Sequence, residues 1–148
     1  VNGLMVYSYF CEMKNNILYF LLTLLLVSCN QKATISEIGV INGYWQISKA
    51  VDAKGNKKEY PINEVYDYFE LKNNKGFHKK VVWQPTGTFL VNDLQDEVRV
   101  TTKEDTVVLT FSSKFGKHQD QLERISDNEM VLVSEEGVSF YYSKVVLN

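Results

Sequence analysis

The chain has little with which to cross-link itself, hold a metal or run a reaction. Its 148 residues include two cysteines, two histidines and two prolines. Cys11 and Cys29 both lie near the start, so no disulfide is expected in the remaining sequence and the core must stand on packing. His78 and His118 occupy separate segments, without a carboxylate or second histidine at ligand spacing, so no metal site is expected. His78, in "FHKK", is out of phase with Phe77 and is expected to face solvent. Ser112 and Ser113 stand beside a turn without a nucleophile elbow or oxyanion motif. The acidic stretches "DLQDE" (93–97) and Glu135-Glu136 fall in turns, where charges are ordinarily solvated. A glycine-rich phosphate loop is also missing, so no catalytic residue and no cofactor are expected. Sixteen basic against 18 acidic side chains give a net charge of −2, which supplies no basic face for nucleic acid.

Long apolar runs are equally scarce, with one exception. Ile17–Val27, 11 residues, carries no charge. It is too short to span a bilayer, which takes about 20 apolar residues, and has the length of a signal-peptide core. Met13-Lys14-Asn15-Asn16 supplies the charged opening of such a signal. Leu26-Val27-Ser28-Cys29 resembles the lipobox of bacterial lipoproteins. The resemblance implies that the Cys29 thiol receives a diacylglyceryl group and that the signal is cut just before it. On this reading residues 1–12 are a spurious upstream extension, 13–28 the signal peptide, 29–41 the lipidated Cys29 with a polar tether, and 42–148 the folded domain. The implied partner is a membrane, held through the N-terminal lipid. Asn30 follows the cysteine where an Asp would signal inner-membrane retention. By this resemblance the protein is expected in the cell envelope, at the outer membrane and facing the periplasm.

Beyond residue 42 the pattern alternates apolar and polar residues, with β-branched and aromatic enrichment and almost no helical period. Strands are expected over 44–51, 68–71, 77–83, 88–91, 98–103, 106–112, 119–125, 130–133 and 138–147. Residues 63–69 read equally well as a short helix or a loop. Turn signals such as "KNNKG" and "KEDT" separate the strands closely, so neighbours should be antiparallel. The expected fold class is all-β: a small up-and-down meander barrel of about eight strands, whose closure removes exposed edges.

Gly43-Tyr44-Trp45, at the start of the first strand, resembles the Gly-x-Trp signature of the lipocalin superfamily, and the region from Ile41 to Val146 resembles the small lipocalin-like domains of bacterial lipoproteins. The resemblance implies that Trp45 packs across the closed barrel base beneath a cation from the last strand, here Lys144. It also implies a small apolar or amphipathic ligand at the barrel mouth. The chain is short for a lipocalin, and the middle motif of larger members is not recognisable.

Strand parity groups the aromatics into inward sets. Phe69, Phe77, Trp83, Phe89, Phe111, Phe140 and Tyr142 are the ligand-lining candidates. An eight-stranded barrel is just wide enough to be filled by its own side chains or to hold one small ligand. Two readings therefore stand: a binding cup, or a packed barrel acting as a protein-interaction or inhibitor module for an envelope protein partner. Tyr66, Tyr68 and Tyr141 fall out of phase on the outer face, where a tyrosine cluster would mark such a partner surface.

Overall fold

Alternation of apolar and polar side chains lets each strand bury one face, and a meander of such strands closes without leaving edges. The computed structural model describes residues 32–147 and shows that arrangement. Ten strands form one antiparallel sheet: β1 (Gly43–Val51), β2 (Lys57–Glu59), β3 (Val65–Lys72), β4 (Lys75–Trp83), β5 (Phe89–Val91), β6 (Asp96–Lys103), β7 (Thr106–Ser113), β8 (Gly116–Ile125), β9 (Glu129–Ser134) and β10 (Ser139–Val145). Eight of them, β1-β3-β4-β6-β7-β8-β9-β10, follow one another around a barrel that closes where β10 pairs with β1. The short strands β2 and β5 extend the pairing of β1 and β4 toward one end of the barrel.

Tight turns set the register. Asn73 and Asn74 both have positive φ (51° and 62°) between β3 and β4, as do Glu104 and Asp105 (47° and 61°) between β6 and β7. Two central residues in the left-handed region are what a two-residue antiparallel hairpin requires. Just after the first turn, a Cβ on Gly76 would lie 1.9 Å from the Glu70 carbonyl oxygen, so the close strand approach there needs glycine.

The core fills the end where β1 begins. Trp45, Phe69, Leu71, Val98, Val100, Val107, Leu109, Phe111, Leu122, Met130 and Leu132 form one buried cluster. A 310 helix, Ile35–Ile41, closes this end with Ile38 and Ile41 buried. Its first turn is held by Glu37, whose carboxylate accepts the Thr34 N–H at 2.8 Å. Ala33 is buried as well, and its N–H donates to the Glu123 carbonyl at 2.9 Å.

The sequence reading of residues 29–41 as a tether is corrected on this point: from Lys32 onward the segment belongs to the barrel, because its apolar residues cap the core. The chain divides into Val1–Gln31 and Lys32–Asn148, and the second unit holds the whole buried cluster, the base helix and every strand of the closed ring. The expected signal peptide, upstream extension and lipidation at Cys29 lie outside the described residues.

Candidate functional site

The barrel has a closed base and an open mouth, and its side chains sort by depth. At the base Trp45 has no exposed surface, and its indole N–H donates to the Ile41 carbonyl at 2.6 Å. Lys144 reaches over the indole, its Nζ 4.8 Å from the ring centroid, and donates to the carbonyls of Val40 (2.6 Å) and Asn42 (2.8 Å). A cation therefore closes the C-terminal end of the 310 helix, where carbonyls point outward. Gly43, with φ 114°, holds a backbone conformation that favours glycine, and a Cβ there would lie in ordinary contact with Lys144 Cε at 3.5 Å. Burial holds the Lys144 ammonium below its ordinary pKa, against the opposing charge of Asp127.

Above the base comes a layer that is polar. Asp67 is paired in register with Trp45 and shares its inward face with Phe69, yet it is only 5% exposed. Its Oδ1 lies 2.7 Å from Nε2 of His78 and 2.9 Å from Nζ of Lys80. The other ring nitrogen of His78 lies 3.2 Å from Asp96 Oδ2. The imidazole also packs between Phe69 and Phe111, with centroid separations of 4.6 and 5.6 Å. Across the barrel, Asp120 pairs with Leu109 and Ser134, and His118 stacks on Phe111 at 4.7 Å. Tyr142, paired with Met130 and Ile47, and Phe140, paired with Leu132, also face inward.

At the mouth the apolar character returns, this time in contact with water. Leu90, Leu94, Phe115 and Val65 are large hydrophobic residues left exposed there, as is Ile62 just ahead of β3. Two recesses open among them. One, of about 400 Å³, is lined by His78, Lys80, Asp96, Leu94 and Phe115. The other, of about 340 Å³, is lined by His118, Asp120, Ser134, Glu135, Glu136 and Phe140.

Four of the sequence-predicted lining residues thus face the interior: Phe69, Phe111, Phe140 and Tyr142. Three do not. Phe77, Trp83 and Phe89 lie on the outer face, and the expectation for them is corrected. Phe69 pairs with His78, so His78 and Lys80 share the inward register of β4, and Phe77, Val81 and Trp83 point the other way. The outward side of this strand is apolar because aromatics cover it. Tyr44 stacks on Phe89 at 4.7 Å, Tyr68 lies 4.7 Å from Tyr44, and Phe77 lies 6.0 Å from Tyr68. His78, expected to face solvent, is corrected on the same ground. Tyr66 joins this outer cluster through Phe89, whereas Tyr141 sits apart under the Lys49 ammonium.

The two interior carboxylates differ in electrostatic character. Burial alone would raise Asp67, but His78 and Lys80 outweigh it and hold the carboxyl below its ordinary value of 3.8. Burial also raises Asp120; His118 and His78 oppose the shift, Glu135 and Glu136 reinforce it, and the carboxyl ends above 3.8. A lowered carboxyl stabilises the fold above its unfolded pKa and loses that contribution on acidification; a raised one weighs against the fold once ionised. Asp67→Asn is therefore expected to lower the melting temperature at pH 7, and Asp120→Asn to raise it. The Asp120 difference should fade as pH falls toward 3.8, since its raised carboxyl protonates above that value, and the Asp67 difference only below 3.8, since its carboxyl is held down. A melting series from pH 3 to 7 checks the signs, and equal effects of the two substitutions would contradict them.

With the closed barrel, the Trp45–Lys144 base and the open mouth established, the comparisons with known proteins find their place. A model of the lipocalin-like domain family matches residues 41–132, well over half of the chain. The chain belongs to the lipocalin-like domain family. Among solved structures, it is similar to a lipocalin-like protein from Bacteroides uniformis, at 17% identity and TM-score 0.47, over 72% of this chain and 100% of that one. It is likewise similar to an uncharacterized protein from Bacteroides eggerthii, at 15% identity and TM-score 0.45, over 70% of this chain and 98% of that one. No curated protein matches the chain. Both structural likenesses concern the fold and say nothing of a ligand. The lipocalin-like fold is typically one of binding rather than catalysis, and the mouth of this barrel is where a ligand would enter.

Proposed function

We propose that this lipocalin-like domain is a membrane-anchored binding protein of the bacterial envelope that takes a small amphipathic molecule at its mouth. The observation that carries the reading is the vertical order of side chains: exposed apolar residues at the rim, hydrogen-bonding groups below them, and a packed base. Apolar rim and polar interior together suit a molecule with both characters, since each buried polar group then finds a partner and the apolar part leaves water. Binding rather than catalysis is the role assigned.

Anchoring rests on the lipobox resemblance at Leu26-Val27-Ser28-Cys29. With Ala33 bonded into the barrel, residues 29–32 are all that would link a lipid on Cys29 to the domain, and they reach at most about 14 Å when extended. The lipid would hold the closed base near the bilayer and leave the mouth facing away from it, toward the periplasm if the protein sits in the outer membrane.

Native mass spectrometry of Asn30–Asn148, purified gently from cells, tests the binding reading. A stoichiometric small molecule that survives purification is the expected result. A domain that stays empty against a panel of single-chain amphiphiles would contradict it. The outer cluster of Tyr44, Tyr66, Tyr68, Phe77 and Phe89 favours a second reading, contact with an envelope protein, and an empty barrel would move the search to that face.

A further inference from the structure

Among the described residues, the large hydrophobic side chains left in water gather at the two ends of the barrel, and those of the mouth belong to the binding reading above. The other three, Ile35, Val146 and Leu147, lie at the base. Ile35 opens the 310 helix that closes it. Val146 and Leu147 follow β10, where Val145 pairs with Tyr44 at the start of β1. On the same strand, Lys144 holds the carbonyls of Val40 and Asn42 at the other end of the helix. Exposed apolar groups thus stand at both ends of a helix of 7 residues, about 14 Å long at ~2 Å per residue. Single exposed apolar residues are normal, and the base set gains its meaning from what lies around it.

The outward side of the helix is almost without charge. Thr34, Ile35, Ser36 and Gly39 are exposed there. Glu37, the helix's one ionisable residue, is turned back on its start, where its carboxylate accepts the Thr34 N–H and hydroxyl at 2.8 Å each. At Gly39 a Cβ would meet nothing within 4 Å, so the backbone itself lies open. Charge of both signs rings this surface on the turns of the same end, with Lys72 and Lys103 set against Glu104, Asp105 and Asp127. The entry of the chain decides what such a surface meets. The Ala33 N–H is bonded to the Glu123 carbonyl, two residues before Ile35, and residues 29–32 reach at most about 14 Å from there. The mouth lies a strand's length away, about 30 Å for the 9 residues of β1. A lipid on Cys29 therefore brings a bilayer to the base and not to the mouth.

We propose that the barrel base is itself a membrane contact: Ile35, Val146 and Leu147 enter the interfacial layer of the bilayer that holds the lipid anchor, and the uncharged side of the 310 helix lies on the headgroups between them. This rests on the anchoring reading above and names the surface that completes it. Apolar groups rimmed by polar ones suit a membrane interface, and the strength of such binding scales with the apolar area buried. Mixed charge on the surrounding turns suits zwitterionic headgroups, which carry both signs. The anchor makes the contact intramolecular, so a small apolar area suffices at the local concentration that the short link imposes.

The test uses the mature chain Cys29–Asn148, in which Cys29 is the only cysteine, coupled through that thiol to a maleimide bearing one myristyl chain. A single such chain gives marginal, reversible attachment, so a second contact shows as tighter partitioning into phosphatidylcholine vesicles. Val146→Ser and Leu147→Ser together are expected to weaken partitioning about tenfold, and Ile35→Ser by a smaller factor. Phe115→Ser, which removes an exposed apolar residue of the mouth, should leave partitioning unchanged. None of the four residues belongs to the buried cluster, and melting temperatures equal to the parent's would show that the barrel is intact. Partitioning untouched by the base substitutions would overturn the contact. A loss with Phe115→Ser as large as that of the base pair would overturn its assignment to the base. Because the chain is attached by chemistry rather than by the cell, this result stands apart from the native anchor, which fatty-acid labelling decides.

Discussion

Trp45→Ala is expected to destabilise the barrel by ~3–5 kcal/mol, the scale of large aromatic truncations in packed cores. Three losses coincide at that position. The indole is wholly buried and belongs to the main core cluster, so its removal opens a cavity that rigid strands can close only in part. Its N–H is the partner of the Ile41 carbonyl, which would be left buried without one. The Lys144 ammonium would lose the ring face beneath it, an interaction worth ~0.5–2 kcal/mol according to how far it is desolvated. The 310 helix should loosen with it, since Lys144 links its last carbonyls to β10. Denaturant unfolding of Asn30–Asn148 measures the effect. A midpoint unchanged from the parent would mean that the base is held by something other than Trp45.

The base of this protein is far more legible in its sequence than the mouth, and the difference is physical. Gly43, Trp45 and Lys144 stand out because a glycine, a large aromatic and a lysine each carry a strong local signal, and all three serve packing. Strand order follows from short connections. The β2 strand, Lys57–Glu59, is all exposed; having no apolar face, it leaves no alternation and reads as part of the turn before it.

The β4 strand misleads for the opposite reason. Its outer side is covered by Tyr68 and Phe89's neighbours in the aromatic cluster, and Val81 is buried there. Its inner side carries His78 and Lys80. Parity reasoning assigns the apolar set to the interior, and a one-residue error in phase exchanges the two faces completely. The error falls where the interior is polar. A usable signal was nonetheless present: Asp67 lies in phase with Phe69 and Leu71, and Asp120 with Leu122. A charged residue in the inward register of an otherwise apolar strand marks a group that the barrel must pair, or that a ligand must.

Cys29→Ala is expected to abolish incorporation of fatty-acid label and to leave the precursor uncleaved, the largest change foreseen for any single substitution. The thiol is the nucleophile of the lipobox reading, and a methyl group offers no lone pair to alkylate. Each buried lipid methylene contributes ~0.8 kcal/mol to membrane attachment, and two chains are needed for a stable anchor. Membrane fractionation alone would not report the loss, because an uncleaved precursor keeps the apolar stretch Ile17–Val27 and can still associate with the bilayer. Two readouts avoid this difficulty: radiolabelled palmitate in the protein band, and the mass of the mature N-terminus. The parent should carry label and begin at Cys29; the variant should carry none and retain the residues before it. A variant that is labelled and cut like the parent would refute the anchor, and the proposed orientation of the mouth away from the bilayer would fall with it.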